Sequence, residues 1–390
     1  MKFLTLDSRN FNKKKVLVRI DINSPIKNKK IQDVFRIKEH ARTIAELARK
    51  GAAVVVLAHQ GRPGEPDFIS LKTHVRILSR FIKRKVRFVS DVCGKKAIYK
   101  INKLKKGQVL LLENVRFLQE EVNPKKNFKH TQLVGNLSPL FDYFVMDAFS
   151  VAHRSAPSMQ GFAKVLPVIS GRVMEKELTS LKKLDKIKKP YVFILGGAKP
   201  DDLILLLENK KVDYFLIGGV LSEMFYIARG VDIGVKKKFL SEHGYLKSLG
   251  LLEPYIDDPR IILPVDFALE KTGRRTEMSV VYMPYKYPIY DIGGKTQEIF
   301  INMIKKAKTI YVKGPLGMYE KKGFGKGSKA VFGAVAESKS FSILGGGHTL
   351  SFIDKSIGTK KFSYVSLAGG ALLEYLAGKR LPGIEILRRK

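Results

Sequence analysis

The 390-residue sequence has no tryptophan and a single cysteine, Cys93, so no disulfide bond can form within the chain. No apolar run reaches the roughly 18 residues that a membrane-spanning helix needs. The first residues lack the apolar segment and small-residue cleavage site of a signal peptide. These absences predict a globular protein of the cytoplasm that has no membrane partner.

Acidic residues are also scarce. The chain has 72 lysines and arginines against 36 aspartates and glutamates, which gives a formal net charge of +36. Such an excess is typical of proteins that bind nucleic acid. Here, however, the lysine clusters are spread along the chain, and no aromatic-interleaved basic segment or known nucleic-acid-binding module is found. We therefore expect no specific nucleic-acid partner, and a basic nucleic-acid-binding protein remains the alternative.

Several well-known catalytic motifs are missing. The sequence has no Gly-x-Ser-x-Gly nucleophile elbow, which argues against a hydrolase of that type. It has neither a P-loop nor the Gly-x-Gly-x-x-Gly fingerprint, so a nucleotide-dependent dehydrogenase is the weaker enzyme alternative. The seven histidines and one cysteine show no paired spacing of the kind that binds zinc.

The order of apolar and amphipathic segments predicts the fold class. The length suggests two domains, and short apolar runs alternate with longer amphipathic stretches, as in parallel α/β proteins. Helices are predicted at 36–50 and 295–308, and a connecting helix from Gly171 to Leu184 separates two series of strands. The predicted strands are 16–20, 53–57, 109–112 and 143–146 in the first half, and 191–195, 214–217, 260–263, 309–312 and 341–344 in the second.

The two halves differ in the residues that come directly after their strands. In the first half, strands lead into segments with arginine, histidine and aspartate, and arginine binds small anions through charge-assisted bonds. In the second half, strands lead into glycine turns, which let a polyphosphate approach backbone N–H groups. Ligands of open α/β sheets bind beyond the carboxyl ends of the strands. Taken singly, each segment could be an ordinary turn, but together they predict phosphoryl transfer between a nucleotide and an acidic substrate.

Taken in order, these segments resemble the phosphoglycerate kinase family, and the match runs nearly from end to end. The most specific stretch is Asp147 to Arg154, which reads Asp-Ala-Phe-x-x-Ala-His-Arg. The other matching stretches are Arg19 to Pro25 with Arg36, His59 to Pro63, Glu113 to Phe117, Gly171 to Leu178, Leu195 to Lys199, Leu263 to Phe267, Asp291 to Thr296, Gly314 to Glu320, Gly345 to Gly347 and Gly369 to Glu374.

The resemblance implies a particular organisation of the chain. It implies two Rossmann-like parallel-sheet domains of three α/β/α layers, joined by a hinge helix near Met174 to Leu184. Residues 1–172 would form a domain that binds 3-phosphoglycerate, and 173–375 a domain that binds the nucleotide. Residues 376–390 would pack back on the first domain. We expect a monomer whose domains close to bring the two substrates together.

The implied activity is reversible phosphoryl transfer between ATP and the carboxylate of 3-phosphoglycerate, giving ADP and 1,3-bisphosphoglycerate in glycolysis and gluconeogenesis. Mg²⁺ would be bound with the nucleotide. By the same resemblance, Arg36 and Lys199 would neutralise the transferring phosphoryl group. Either Asp201 or Asp202, which follow the Gly-Gly turn, could lie near a metal, and Asp202 is the candidate to hold or orient it. The substrate-binding residues would be Asp21, Asn23, Arg36, His59, Arg62, Arg116 and Arg154. The nucleotide-binding residues would be Gly197, Lys199, Gly218, Gly219, Pro315, Glu320, Gly345, Gly346, Gly347, His348 and Thr349.

Three positions depart from the pattern of the bacterial and eukaryotic members. Leu203 stands where those members have a second lysine after Gly-Gly-Ala-Lys. His348 stands where they have an aspartate that helps to hold the magnesium nucleotide, and Lys313 replaces the usual asparagine before Gly-Pro. The first two changes resemble the archaeal branch of the family.

Overall fold

The computed structural model describes residues 3–28, 30–125, 127–183, 187–366 and 368–388. The chain divides into two compact units, one formed by Met1–Lys183 with Arg380–Lys390 and the other by Leu184–Lys379. Each unit is built on its own six-stranded parallel sheet. The α/β fold class with two parallel-sheet domains is therefore confirmed. The division falls after residue 183, whereas the sequence placed it after residue 172, because the connecting helix groups with the first unit.

The first unit contains a parallel sheet and a small hairpin. β4 is the sequence Ala-Val-Val-Val-Leu, and all five residues are buried. Because both faces of such a strand are covered, helices must pack on each side of the sheet. The order in the sheet is β5-β6-β4-β1-β7-β8, and β2 and β3 form the hairpin. The strands are β1 (Lys15–Arg19), β2 (Ile26–Lys27), β3 (Lys30–Ile31), β4 (Ala53–Leu57), β5 (Val86–Phe88), β6 (Val109–Leu111), β7 (Tyr143–Met146) and β8 (Val168–Ser170).

The helices of the first unit place an apolar side on this sheet. In the first of them, Ile37, Ala41, Ile44 and Leu47 recur at helical spacing and are buried in the core of the unit. The helices are α1 (Phe35–Arg49), α2 (Val75–Ile82), α3 (Lys95–Asn102), α4 (Gln119–Val122), α5 (Gln132–Leu137) and α6 (Arg172–Lys183).

The start of α6 is fixed by side chains of the first unit. Asp147 Oδ1 accepts hydrogen bonds from the backbone N–H groups of Val173 and Met174, at 2.9 and 3.1 Å. These are donors that the first turn of a helix leaves unpaired. The Arg172 guanidinium also bonds Glu46 at 2.6 and 2.8 Å. Leu184, the expected end of this helix, lies outside the described residues.

The second unit has the same architecture. Its sheet order is β11-β10-β9-β15-β16-β17, all parallel. The strands of this sheet and of a smaller one are β9 (Tyr191–Leu195), β10 (Tyr214–Ile217), β11 (Ile261–Ile262), β12 (Asp266–Lys271), β13 (Arg274–Ser279), β14 (Ile289–Ile292), β15 (Thr309–Lys313), β16 (Phe341–Gly345) and β17 (Tyr364–Val365). The helices are α7 (Pro200–Leu207), α8 (Gly219–Ala228), α9 (Lys236–Glu242), α10 (Gly294–Lys306), α11 (Lys326–Glu337), α12 (Gly347–Ser356) and α13 (Gly370–Leu376).

The smaller sheet of the second unit is antiparallel, with the order β13-β12-β14. It has an apolar cluster of its own, in which Phe267, Leu269, Tyr285 and Ile289 are buried. The sequence did not predict this sheet, because β13 carries polar residues and has no fully buried position.

The end of the chain belongs to the first unit. A last short helix, α14 (Pro382–Glu385), follows residue 379, where the second unit ends. The N–H of Gly383 donates to the carbonyl of Ala152 at 2.8 Å, beside the Asp147 to Arg154 segment. In the part of the chain that the structure describes, no helix is long and apolar enough to cross a membrane.

Candidate active site

A buried carboxylate, Asp21, lies at the centre of the charged site in the first unit. It follows β1 and is completely buried. Its Oδ2 accepts from the Arg36 guanidinium and from the Ser150 hydroxyl, and its Oδ1 lies 4.0 Å from Nε2 of His59. Burial alone would raise the pKa of Asp21, but the charge of Arg36 and the hydrogen bonds from Ser150 and the Asn23 N–H hold it well below its usual range. Asp21 is therefore a carboxylate at neutral pH.

His59 is the second buried polar group of this site. Burial lowers the pKa of His59 well below its usual range. The nearby guanidiniums of Arg19 and Arg116 lower it further, while Asp21 opposes them. The imidazole is therefore neutral at physiological pH, and the positive charge of the site comes from arginine.

A tight turn at Gly61 joins three of the predicted residues. The N–H of Gly61 donates to Asn23 Oδ1 at 2.9 Å, and its carbonyl accepts from the Arg116 guanidinium. Gly61 has a φ of +67°, which glycine adopts without strain. This turn therefore holds Asn23 and Arg116 close to Arg62, the next residue of the chain.

Arg62 and Arg154 complete the cationic side of the site. Arg62 is exposed and Arg154 is partly buried. Burial lowers the pKa of Arg154, and Arg62 is close enough to lower it further, while Asp21 opposes both. All seven substrate-binding residues predicted from the sequence thus lie together beyond the carboxyl ends of the first sheet. Four arginines around one carboxylate leave a net positive site that suits a small polyanion.

A buried hydrogen-bonded group, formed by Arg19, Ser158 and Glu121, was not predicted from the sequence. Glu121 accepts from the backbone N–H and the hydroxyl of Ser158 at 3.0 and 2.6 Å. The Ser158 hydroxyl in turn accepts from Arg19 Nε at 3.0 Å. Burial raises the pKa of Glu121, and Arg19 and Ser158 lower it. Arg19 stands in the first motif of the sequence, but nothing in that motif indicates Ser158 and Glu121, which lie more than 100 residues further on.

The second unit contains a cavity of about 550 Å³. The residues that line it come from the ends of the central strands and from the first turns of the helices after them. Those predicted from the sequence are Gly197, Lys199, Asp202, Gly219, Pro315, Glu320, Gly346, Gly347, His348 and Thr349.

One end of this cavity is formed by glycine turns and helix starts. α7 and α12 begin beside this end, at Pro200 and Gly347, and α8 begins at Gly219, which also lines the cavity. Unpaired N–H groups at helix starts bind phosphate, and the helix dipole favours negative charge there. Gly346 has a φ of +95°, a conformation that side chains disfavour. The N–H of Gly314 donates to Thr349 Oγ1 at 2.7 Å, which ties β15 to the start of α12.

The other end of the cavity is apolar and aromatic. Its lining side chains are Phe239, Tyr245, Phe267, Ile289, Tyr290 and Met318. Such a surface suits the flat ring of a nucleobase. Lys236 Nζ lies 4.4 Å from the ring centre of Phe239 and 5.0 Å from that of Tyr290. Phe267 and Met318 fall within stretches that match the family, whereas the other four lie outside any motif and come from separate helices, strands and loops.

A buried carboxylate, Glu223, also lines the cavity. Among the described residues its Oε2 has no hydrogen-bond partner. Burial raises the pKa of Glu223 to about 7, although the charge of Lys236 opposes this shift. Nothing in the sequence marked this residue as part of a site.

Two of the predicted nucleotide-binding glycines do not line the cavity. Gly218 and Gly345 each precede a lining residue. A Cβ atom at Gly218 would meet the side chain of Leu316 at 2.6 Å, and one at Gly345 would meet the Tyr311 hydroxyl at 2.6 Å. Close packing therefore explains why both positions are glycine.

Asp202, the predicted metal ligand, lies at the rim of the cavity. Its side chain is 49% exposed, and Oδ2 is 3.3 Å from Nζ of Lys313. In the described part of the chain, no group of three or more His, Cys, Asp or Glu side chains could hold a metal ion. A single carboxylate fits Mg²⁺ that is held mainly by nucleotide phosphates.

A cationic site on one parallel sheet and a polyphosphate cavity on another define a class of protein, the nucleotide-dependent phosphotransferases. The sequence model of the phosphoglycerate kinase family matches residues 6–379, and the chain belongs to this family.

Individual relatives agree with this assignment. The phosphoglycerate kinase of Methanobacterium bryantii is 42% identical, over 99% of this chain and 97% of its own length. That of Sulfolobus acidocaldarius is 41% identical, over 98% of this chain and 95% of its own length. The crystal structure of the phosphoglycerate kinase from Pyrococcus horikoshii OT3 superposes with a TM-score of 0.88 at 38% identity, covering 98% of both chains.

These comparisons confirm the resemblance seen in the sequence, including its archaeal character. They also confirm that the chain is a kinase that phosphorylates a carboxylate. The alternative of a basic nucleic-acid-binding protein is not supported.

Proposed function

We propose that this chain catalyses reversible transfer of the γ-phosphoryl group of ATP to the carboxylate of 3-phosphoglycerate. The products are ADP and 1,3-bisphosphoglycerate, and the reaction belongs to glycolysis and gluconeogenesis. The observation that carries this proposal is the gathering of arginines around the buried carboxylate of Asp21, in a chain that belongs to the phosphoglycerate kinase family.

The cationic site suits both ends of 3-phosphoglycerate. His59, Arg62, Arg116 and Arg154 would hold the phosphate, since guanidinium groups bind phosphate oxygens in pairs. Asp21 would accept a hydrogen bond from the C2 hydroxyl of the substrate. Asn23 would help to orient the carboxylate that receives the phosphoryl group.

The reaction needs no protein base, because the substrate carboxylate is already ionised at neutral pH. One of its oxygens forms a bond to the γ-phosphorus, while the bond from that phosphorus to the bridging oxygen breaks. The electron pair of the broken bond stays on ADP. Arg36 and Lys199 would neutralise the charge on the transferring group, and catalysis then comes from positioning and electrostatic stabilisation.

The nucleotide would lie along the cavity of the second unit. Backbone N–H groups at Gly346 and Gly347 would bind the phosphates, and Glu320 would accept from the ribose hydroxyls. The base would lie beside Gly219, towards the aromatic end. Mg²⁺ bound to the phosphates, with Asp202 as its protein ligand, would neutralise part of their charge.

The two substrates bind on separate units, so transfer requires the units to bring them together. We propose that residues near Met174 to the end of α6 act as the hinge. Exclusion of water in the closed state would limit the hydrolysis of ATP. We also propose that the chain acts as a monomer in the cytoplasm, with small molecules as its substrates and no nucleic-acid partner.

A coupled assay tests this function directly. The purified full chain is incubated with MgATP, 3-phosphoglycerate and a reporter system that consumes 1,3-bisphosphoglycerate. We expect ATP consumption only when 3-phosphoglycerate is present. Omission of the metal should abolish turnover, and glycerate without the phosphate should not replace the substrate. A chain that binds both substrates but forms no 1,3-bisphosphoglycerate would contradict the proposal.

A further inference from the structure

We infer that Lys313 is a phosphate-binding lysine of the nucleotide site and supplies the positive charge that Leu203 cannot. The inference rests on the proposed kinase activity. It concerns a position at which the resemblance gives asparagine, so a charged contact to phosphate at Lys313 is not carried over from the family pattern.

The position of Lys313 in the sheet places it between the two glycine turns. It is the last residue of β15, which lies between β9 and β16. In register it pairs with Leu195 on one side and Gly345 on the other. Each of these residues leads directly into a glycine turn that lines the cavity. Both turns and Lys313 therefore meet at one edge of the sheet.

The side chain of Lys313 runs along the phosphate end of the cavity. It lines the cavity and is only 12% exposed. Its Cγ lies 3.9 Å from the place where a Cβ of Gly346 would stand. Its ammonium group is 3.3 Å from Asp202 and close enough to Lys199 for the two charges to repel. The ammonium groups of Lys199 and Lys313 thus share the part of the cavity where the phosphates would bind.

A purely structural role explains this lysine poorly. A charge at a buried strand end costs free energy unless it is well paired. The partner of Lys313, Asp202, is half-exposed, and a single contact of this kind contributes little. The resemblance also gives a neutral asparagine at this place, so the fold does not need a lysine there. A polyphosphate provides the missing counter-charge.

Leu203 explains why the charge is needed at Lys313. Leu203 lies on α7, lines the same cavity and is completely buried. It replaces the second lysine of the bacterial and eukaryotic pattern, and its side chain has no charge to offer a phosphate. A lysine lost from the helix is thus matched by a lysine gained on the neighbouring strand. The number of lysines at the phosphate end of the cavity stays the same.

The substitution Lys313→Asn tests this inference, with Lys308→Asn as the matched control. Lys308 is exposed and precedes the same strand at its other end. We expect Lys313→Asn to lower kcat and the affinity for ATP about 10- to 100-fold, the loss typical of a charge-assisted bond. The affinity for AMP should change less than about twofold, because AMP lacks the β- and γ-phosphates. Binding is measured by titration calorimetry.

The possible results distinguish phosphate binding by Lys313 from a structural role, and both from a failure of the proposed function. A kcat and an ATP affinity within twofold of the parent would overturn the inference, and so would an equal loss of ATP and AMP binding, which indicates a structural role. A parent chain without kinase activity would instead overturn the proposed function. As a second test, Leu203→Lys added to Lys313→Asn should restore part of the lost kcat. A folded double variant whose kcat is no higher than that of Lys313→Asn would contradict the inference that Lys313 supplies the charge missing at Leu203.

Discussion

Arg19 donates a hydrogen bond through Nη2 to Nδ1 of His59, at a distance of 3.2 Å. A guanidinium group has no acceptor, so Nδ1 must be the acceptor, and the proton of the neutral ring lies on Nε2. That nitrogen is 4.0 Å from Asp21 Oδ1. Arg19 thus selects the tautomer in which the N–H of His59 lies on the side of the ring that faces Asp21.

The first prediction concerns the protonation state of His59. Because burial and two arginines lower its pKa, the ring should remain neutral and carry its proton on Nε2 at pH 6. The ¹⁵N chemical shifts of the labelled histidine ring distinguish the two tautomers and the charged form. A His59→Gln variant identifies the signals by their loss. A ring protonated on Nδ1 would show that Arg19 does not set the tautomer. A ring that becomes charged near pH 6.5 would show that burial and the arginines do not lower its pKa.

The second prediction concerns Arg36, which pairs with Asp21 and remains one-third exposed. Arg36→Ala should lower kcat by about 100-fold or more, since in the proposed mechanism Arg36 stabilises the charge that develops on the transferring phosphoryl group. The Kd for ATP should change little, because the proposed nucleotide site lies in the other unit. Steady-state kinetics and calorimetry give the two quantities.

Arg42→Ala is the matched control for Arg36. Arg42 lies on the same helix, is exposed and pairs with Glu39 at 2.9 Å, away from the site. We expect its kcat to equal that of the parent. If Arg36→Ala retained kcat within a few-fold of the parent, its catalytic role would be wrong.

The third prediction concerns Glu320, which lines the nucleotide cavity. Glu320→Ala should raise the KM for ATP about three- to tenfold, the effect of losing a hydrogen bond to the ribose. The KM for 3-phosphoglycerate should stay the same. Glu337→Ala, at an exposed position at the end of α11, serves as the control. An effect on 3-phosphoglycerate alone would exclude a ribose contact.

The central strands of both sheets could be predicted from the sequence because they are short apolar runs. The predicted strands 53–57, 143–146, 191–195 and 214–217 agree with β4, β7, β9 and β10. The edge strands β5 and β8 and the short strand β17 were missed. In β5, Arg87 is exposed and interrupts the apolar pattern, so only pairing with β6 identifies it as a strand.

Some residues of the candidate site could be predicted from their local sequence, and others could not. Residues such as Asp21, His59 and Gly346 come soon after strands, and the position at the strand end indicated a ligand site. Glu121 supports the arginines from another part of the chain, and Phe239 lines the cavity from a separate helix. Contacts across the sequence depend on how the elements pack, and no local pattern indicates them.

The last prediction concerns Glu223, whose buried carboxyl has a pKa of about 7 against an ordinary value of 4.5. Between these pH values the folded chain binds more protons than the unfolded chain, so its free energy of unfolding falls as the pH rises. Glu223→Gln removes this loss. It should stabilise the protein by up to about 3 kcal/mol above pH 7, and by almost nothing near pH 4.5. Urea unfolding without nucleotide at both pH values measures the difference, with the exposed Glu242→Gln as control. Equal effects of Glu223→Gln at the two pH values would show that folding does not raise the pKa of the Glu223 carboxyl.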